Sequence, residues 1–337
     1  MKIRTFLRLS LHTQLLPILE SGEETLVGGQ AVMEGVMMRA PHSYAVAVRK
    51  ANGRIVMEES AIPRVSEKYP IFRFPLLRGI GTLGQAMWLG MRALSFSAGA
   101  ALDESTAEST AESAAGEASE QTPQHIPGWM LAVNVAISLL FFVFLYKFVP
   151  LFLATQVGRH VPGLNGRLAI NLVDGILRIL IFIGFLSLLA LMKDMRRVFE
   201  YHGAEHKVVF NFESGQPVTV ANAQKFVTWH PRCGTSFLLV VLVLAMLIYA
   251  LVPVDGFTAK LVSRIALMPL IVGVSYELIR LAAKRRRGLL HTLTAPGLWL
   301  QRITTKPPSD EQTAVAIDAL NGAMALEKAQ GGELVIA

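Results

Sequence analysis

Four apolar stretches, each of about 20 residues, constrain this chain more than any other feature. They run from about 129 to 153, 168 to 192, 235 to 252 and 261 to 282. A helix rises about 1.5 Å per residue, so each stretch is long enough to cross the roughly 30 Å of hydrocarbon in a bilayer. The first and third carry no charge over most of their length, as in Ile137-Ser-Leu-Leu-Phe-Phe-Val-Phe-Leu145. The second contains Asp174 and Arg178, and the fourth Arg264, Glu277 and Arg280. Composition agrees with the pattern. Of 337 residues 52% are hydrophobic and 17% charged, whereas soluble domains carry about 25% charged residues. These figures exclude a disordered or collagen-like chain. One cysteine, Cys233, excludes an intrachain disulfide and any zinc finger built on several cysteines.

The bases set an orientation. Lys193, Arg196 and Arg197 follow the second stretch, and Lys284-Arg285-Arg286-Arg287 follow the fourth. The loops at the opposite end, 154–167 and 253–260, carry only Arg159, Arg167 and Lys260. Lysine and arginine concentrate on the cytoplasmic side of a membrane. The expectation is a multi-pass protein of the cytoplasmic (inner) membrane with both termini and the 193–234 segment in the cytoplasm. The net charge of +7 is explained by those flanks, so the partner expected is the lipid bilayer and not nucleic acid.

The fold class expected is mainly α, a polytopic helical membrane protein with about four transmembrane helices and a small cytoplasmic β unit. Residues 1–75 form its N-terminal region. Lys2 and Arg4 give a basic start, but Arg8, His12, Gln14 and Pro17 break any signal-peptide core, leaving a short amphipathic surface helix. Tyr44–Arg49 and Arg54–Glu58 are β-prone, and Asn52-Gly53 between them signals a hairpin with a two-residue type I′ turn. Residues 76–102 hold Arg78, Arg92 and five glycines and read as an interfacial or re-entrant helix. Residues 103–127 read as a flexible linker, because six acids and no base lie between Asp103 and Glu120 among small polar residues. The membrane domain is 128–287. The remainder, 288–337, is an interfacial segment followed by a helix over 310–329, announced by the capping box Ser309-Asp-Glu-Gln312.

The strongest chemical signal is Tyr201-His-Gly-Ala-Glu-His-Lys207. On a helix His202 and His206 lie one turn apart on the same face, with Glu205 on the adjoining side. Two imidazoles so spaced can hold one metal ion, and the glutamate can act as general base toward bound water. The His-x-x-Glu-His string also defines one class of zinc peptidases. A second signal, His230-Pro-Arg-Cys233-Gly234, precedes the third stretch. Adjacent antiparallel helices would bring both signals to the cytoplasmic mouth of the bundle, where His230 or Cys233 could complete a tetrahedral site. Glu213 is a further candidate. The run Gly28-Gly-Gln-Ala-Val-Met-Glu-Gly-Val-Met-Met-Arg39 lacks any phosphate-loop pattern. It reads mainly as packing, with Glu34 and Arg39, like Arg232, as residues that could line the site. Asp174 and Arg178, at i and i+4, are expected to pair inside the bundle.

Together the runs 28–39, 201–207, 230–236 and Pro296-Gly-Leu-Trp-Leu-Gln-Arg302 resemble the YqhQ-like family of bacterial membrane proteins. The resemblance covers most of the chain, apart from the acidic stretch and the extreme ends, and implies a metal-dependent enzyme. The functional expectation is a Zn2+-dependent hydrolase-like protein at the inner face of the membrane. In it His202, His206 and His230 or Cys233 hold the metal and Glu205 acts as base. The alternative is a non-catalytic scaffold or assembly factor that binds a protein partner through its cytoplasmic face.

Overall fold

The computed structural model describes residues 27–63, 65–113, 128–230, 233–284 and 295–330. The expected N-terminal surface helix, Arg232 and most of the basic run 284–287 lie outside them. The chain divides into two compact units, one of residues 1–104, 186–240 and 272–337, the other of residues 105–185 and 241–271. Four strands come first: β1 Gly28–Val32, β2 Gly35–Arg39, β3 Ser43–Arg49 and β4 Ile55–Ala61. The helices longer than one turn are α1 Leu77–Ser113, α2 Gly128–Val143, α3 Val149–His160, α4 Arg167–Leu189 and α5 Lys193–Glu213. After these come α6 Gly234–Leu251, α7 Phe257–Ala266, α8 Met268–Lys284, α9 Ala295–Thr304 and α10 Asp310–Ala329.

In the first unit the strands form an antiparallel sheet in sequence order. Alternation in β2 and β3 sends two different sets of side chains to its two faces. Val36, Met38, Ala45 and Ala47 pack with Tyr201, Ala204 and Val208 of α5 and with Val315, Ala319 and Leu320 of α10. Met37, Tyr44, Val46 and Val48 pack with Leu89, Ala93 and Ala100 of α1. The small residues on the first face let α10 come close: a Cβ on Gly322 would stand 3.1 Å from the Ala45 Cβ. The capping box of α10 forms as expected, with Ser309 Oγ accepting from Gln312 N and Gln312 Oε1 from Ser309 N.

Two expectations change here. The β3–β4 connection is not a two-residue type I′ turn. Lys50 N donates to Arg54 O, and Gly53 N to Lys50 O, which closes a three-residue loop in which only Gly53 has positive φ, 82°. This is a type I turn followed by a left-handed residue, the arrangement usual in three-residue hairpins. The segment expected as a 76–102 helix and a 103–127 linker instead carries one helix of 37 residues ending at Ser113. Alanine and glutamate are good helix formers, and they dominate 104–112 in spite of its low complexity.

Among the described residues three helices are long and apolar enough to cross a membrane: Ala136–His160, Arg167–Leu189 and Gly234–Leu251. A fourth span exists if the pair Phe257–Ala266 and Met268–Leu281, bent by 48°, counts as one. The first expected span therefore reaches beyond 153, and the fourth is a broken helix and not a straight one. Pro269, which has no N–H to give Ile265, sits at the bend. Many large side chains of these helices, among them Ile137, Leu140, Phe141, Leu180 and Leu247, are exposed.

In the second unit a π turn, Phe144–Phe148, interrupts the helix between α2 and α3. It holds the buried Lys147, whose Nζ lies 3.2 Å from Tyr249 Oη. The expected Asp174–Arg178 pair forms at 2.8 Å, and both side chains are buried. Arg264 joins it, with Nη2 3.1 Å from Asp174 Oδ2 and 2.7 Å from Asn171 Oδ1.

Candidate metal centre

His202, Glu205 and His206 all lie on α5, which packs on β1 and on α10. Two glycines make this packing possible. A Cβ on Gly29 of β1 would stand 2.8 Å from Glu205 Cγ, and a Cβ on Gly203 would stand 2.0 Å from Lys306 O. The glycine of the His-Gly-x-Glu-His run therefore lets the segment after α9 lie directly on the helix. Lys306 N donates to Phe199 O at 2.9 Å there, and the carbonyl of Thr304 comes within 2.8 Å of His202 Nδ1.

That contact fixes the imidazole. A carbonyl only accepts, so Nδ1 of His202 carries the proton and Nε2 offers its lone pair. His206 is treated alike: its Nδ1 meets Thr228 O at 2.5 Å. The loop that carries Thr228 is held to α5 by Lys207, whose Nζ donates to Gln224 O at 2.8 Å and Phe226 O at 2.6 Å. Burial lowers the Lys207 pKa.

Cys233, just before α6, completes the group. Its Sγ lies 3.2 Å from His202 Nε2 and 3.2 Å from Thr235 Oγ1. One ligand atom from each of His202, His206 and Cys233 lies within 4.8 Å of the others. Ligand atoms around a tetrahedral zinc stand roughly 3.3–3.7 Å apart, given bonds of about 2.0–2.3 Å. Side-chain rotations of about an ångström would close the set. Metal-bound histidines characteristically give their second N–H to a carbonyl or carboxylate, as both histidines do here. The donor chemistry and the tautomers therefore fit a zinc-class ion. Glu205, buried, has Oε2 3.3 Å from His206 Nε2.

The remaining candidates sit around this group. His230 is adjacent but outside the close set: its ring centroid is 5.6 Å from that of His206 and its Nε2 is 3.5 Å from Glu213 Oε2. Burial pushes His206 down to about 4, helped by the neighbouring His202, and it takes His230 to about 4 as well, against the pull of Glu205. Glu34 occupies the turn between β1 and β2 with φ 52°. It accepts from Arg197 at 2.5 Å and from Tyr201, the residue before His202, at 3.4 Å. That contact raises the Arg197 pKa, while burial, then Glu34, raises that of Tyr201. Arg39 points elsewhere, donating to Gln85 of α1 at 2.7 Å.

One side chain in particular carried no chemical signal in the sequence. Gln301, fully buried on α9, accepts from His230 N at 2.7 Å and donates to His230 O at 2.8 Å and Ser236 Oγ at 3.0 Å. It thereby holds the entrance to α6, and with it Cys233. Gly297, one turn earlier, makes room for Ser236, whose Cβ would lie 2.6 Å from an added methyl. The Pro296–Arg302 run is thus a structural support for the site.

Residues 74–326 match the family described as "Protein of unknown function (DUF1385)". The chain belongs to this family. It is also 36% identical over 302 residues to "Uncharacterized protein YqhQ" of Bacillus subtilis (strain 168), which covers 89% of this chain and 92% of that one. No solved structure matches.

Proposed function

We propose that this chain is a metal-dependent, hydrolase-like protein of the cytoplasmic membrane, with His202, His206 and Cys233 as ligands of a zinc-class ion. The observation that carries the reading is the pair of Nδ1–H contacts to Thr304 O and Thr228 O, which leaves both Nε2 lone pairs available beside a thiol. Such an ion, when bound, supplies a Lewis acid and a water of lowered pKa. Glu205 is placed to take a proton at Oε2 next to the His206 ligand atom. The apolar helices would anchor the protein in the bilayer, and Lys193, Arg196 and Arg197 favour a cytoplasmic site.

A second reading rests on the 3.3 Å separation of Glu205 and His206 Nε2. If Glu205 is itself the fourth ligand, the sphere is closed, the centre is structural, and the protein serves as a scaffold for a cytoplasmic partner. Elemental analysis of the purified chain tests the metal. About one zinc-class ion per chain is expected, lost in His202→Ala, His206→Ala and Cys233→Ser. No stoichiometric metal in the parent sinks both readings. Glu205→Gln separates them, because it abolishes cellular function with metal retained if Glu205 is the base and releases metal if it is a ligand.

A further inference from the structure

Helix α1 has two apolar faces, and the sheet covers one of them. Leu89, Ala93 and Ala100, with Phe96, pack on Tyr44, Val46 and Val48. Farther round the helix, Met87, Trp88, Met91 and Leu94 form a second stripe at i, i+1, i+4 and i+7. These four residues are between 48% and 65% exposed. From Leu77 to Leu102 the charged residues are Arg78 and Arg92, and both meet carboxylates. Arg92 Nη2 donates to Glu58 of β4 at 2.8 Å, with its guanidinium 5.3 Å from the Trp88 ring. A helix apolar all round is ordinarily covered on every side.

The start of α1 shows what surrounds it, because it is locked onto α8. A Cβ on Gly79 would stand 2.6 Å from Tyr276 Cβ, and one on Gly273 would stand 2.8 Å from Leu76 O. Leu76 takes a positive φ of 68° here, and its N–H donates to Glu277 Oε1 at 3.3 Å. Arg78 Nε donates to the same oxygen at 2.6 Å. Helix α8 is the second half of the bent pair that counts as a fourth span. The two glycines thus seat the entry of α1 against a helix that, as a span, is bathed in acyl chains. Tyr69, Ile71 and Phe74, just ahead of α1, are exposed as well. The four stripe residues offer a partner protein one hydrogen-bonding group, the Trp88 indole, whereas protein interfaces are rimmed by polar pairs. Tryptophan and leucine on an uncharged face suit the boundary between headgroups and acyl chains.

We infer that the Met87, Trp88, Met91 and Leu94 face of α1 lies on the bilayer, so that α1 is clamped between lipid and the sheet. An in-plane helix usually turns a charged face to water. Here the sheet takes the place of that face, which explains why α1 needs so few charges. The inference rests on the reading of the apolar helices as spans. No step of the proposed metal chemistry enters it.

The test uses the full-length protein in phosphatidylcholine vesicles, with and without bromine on the acyl chains near the headgroup. Bromine quenches an indole only at near contact. Trp129→Phe, Trp229→Phe and Trp299→Phe together leave Trp88 as the one fluorescent indole. Its emission is expected to fall at least about twofold in the brominated vesicles. The parent chain compared with Trp88→Phe gives the same quantity as a difference, should the triple variant fail to fold. The inference is overturned if bromine leaves Trp88 unquenched. Aqueous iodide then shows what covers the face: quenching by iodide places it in water, and no quenching places it against protein, such as a second copy. An alkaline carbonate wash separates the two failures. A chain stripped from the vesicles sinks the span reading together with this inference, and a chain retained with Trp88 unquenched by bromine sinks this inference alone.

Discussion

The two units solve the same problem, buried polarity, in opposite ways. In the sheet unit each histidine of the candidate centre gives one N–H to a main-chain carbonyl, from Thr304 or Thr228. Main-chain acceptors carry no net charge and are held by the fold, so they fix which ring nitrogen carries a proton. In the helical unit the buried groups are ions, balanced by side chains on α4 and α7 and by an aromatic face on α6. The first arrangement leaves two Nε2 atoms beside a thiol. The second spends its donors on one carboxylate, an amide oxygen and main-chain oxygens. The lesson is that buried polar groups can be satisfied either by neutral main-chain acceptors or by ions paired with one another.

The sharpest way to break that contrast is Asp174→Ala. Removing the one shared carboxylate leaves the buried cations unpaired, so a loss of about 3–5 kcal/mol is expected. Chemical denaturation should show it, with metal content per folded chain unchanged. Gly203→Ala strikes the other unit. A methyl 2.0 Å from Lys306 O must push the segment after α9 off α5, which costs about 3 kcal/mol or more. It should also take the Thr304 carbonyl away from His202, so the metal affinity falls with the stability. Gln301→Ala strands both polar groups of His230 and should cost about 2–3 kcal/mol, with metal affinity down about 10–100-fold, read by competition with a chromogenic chelator.

A pH titration of metal-free protein sharpens the comparison further. His206 and His230 are held near 4 in the fold, against 6.5 for a free imidazole. The unfolded chain therefore binds more protons between these values, and stability falls as pH drops from about 6.5 toward 4. His230→Gln should flatten the slope measured by urea unfolding at each pH. The smallest effect is expected from Glu34→Gln. Its partner Arg197 is about half exposed, so stability should change by no more than about 1 kcal/mol, with metal content retained.

Much of this architecture is written locally. Hydropathy marks the apolar helices because each span answers to its own solvent, and the His202–His206 pairing follows from the helical period alone. The alternation of Tyr44, Val46 and Val48 with Ala45 and Ala47 likewise announces a strand. What escaped reading depends on geometry without a residue signature. Lys147 looks like an interruption of an apolar run; only the π turn gives it a buried place. The acceptors that fix both imidazoles are carbonyl oxygens, which every residue possesses, so nothing in the letters distinguishes Thr228 or Thr304. Gln301 reads as a polar residue in an interfacial helix, although its amide spans two segments. Gly203 is legible only in retrospect, through the carbonyl it admits.

The position of Gln301 along the chain has a consequence for biosynthesis. Its partner His230 is 71 residues upstream, and Thr304 follows His202 by 102. His202 and Cys233 therefore leave the ribosome well before the groups that aim them. A nascent chain halted short of α9 would have the Thr228 contact to His206 available, but neither the carbonyl that fixes His202 nor the amide that holds the entrance to α6. Selective metal loading would then begin only once translation is nearly finished, which makes the C-terminal segment a late checkpoint on maturation.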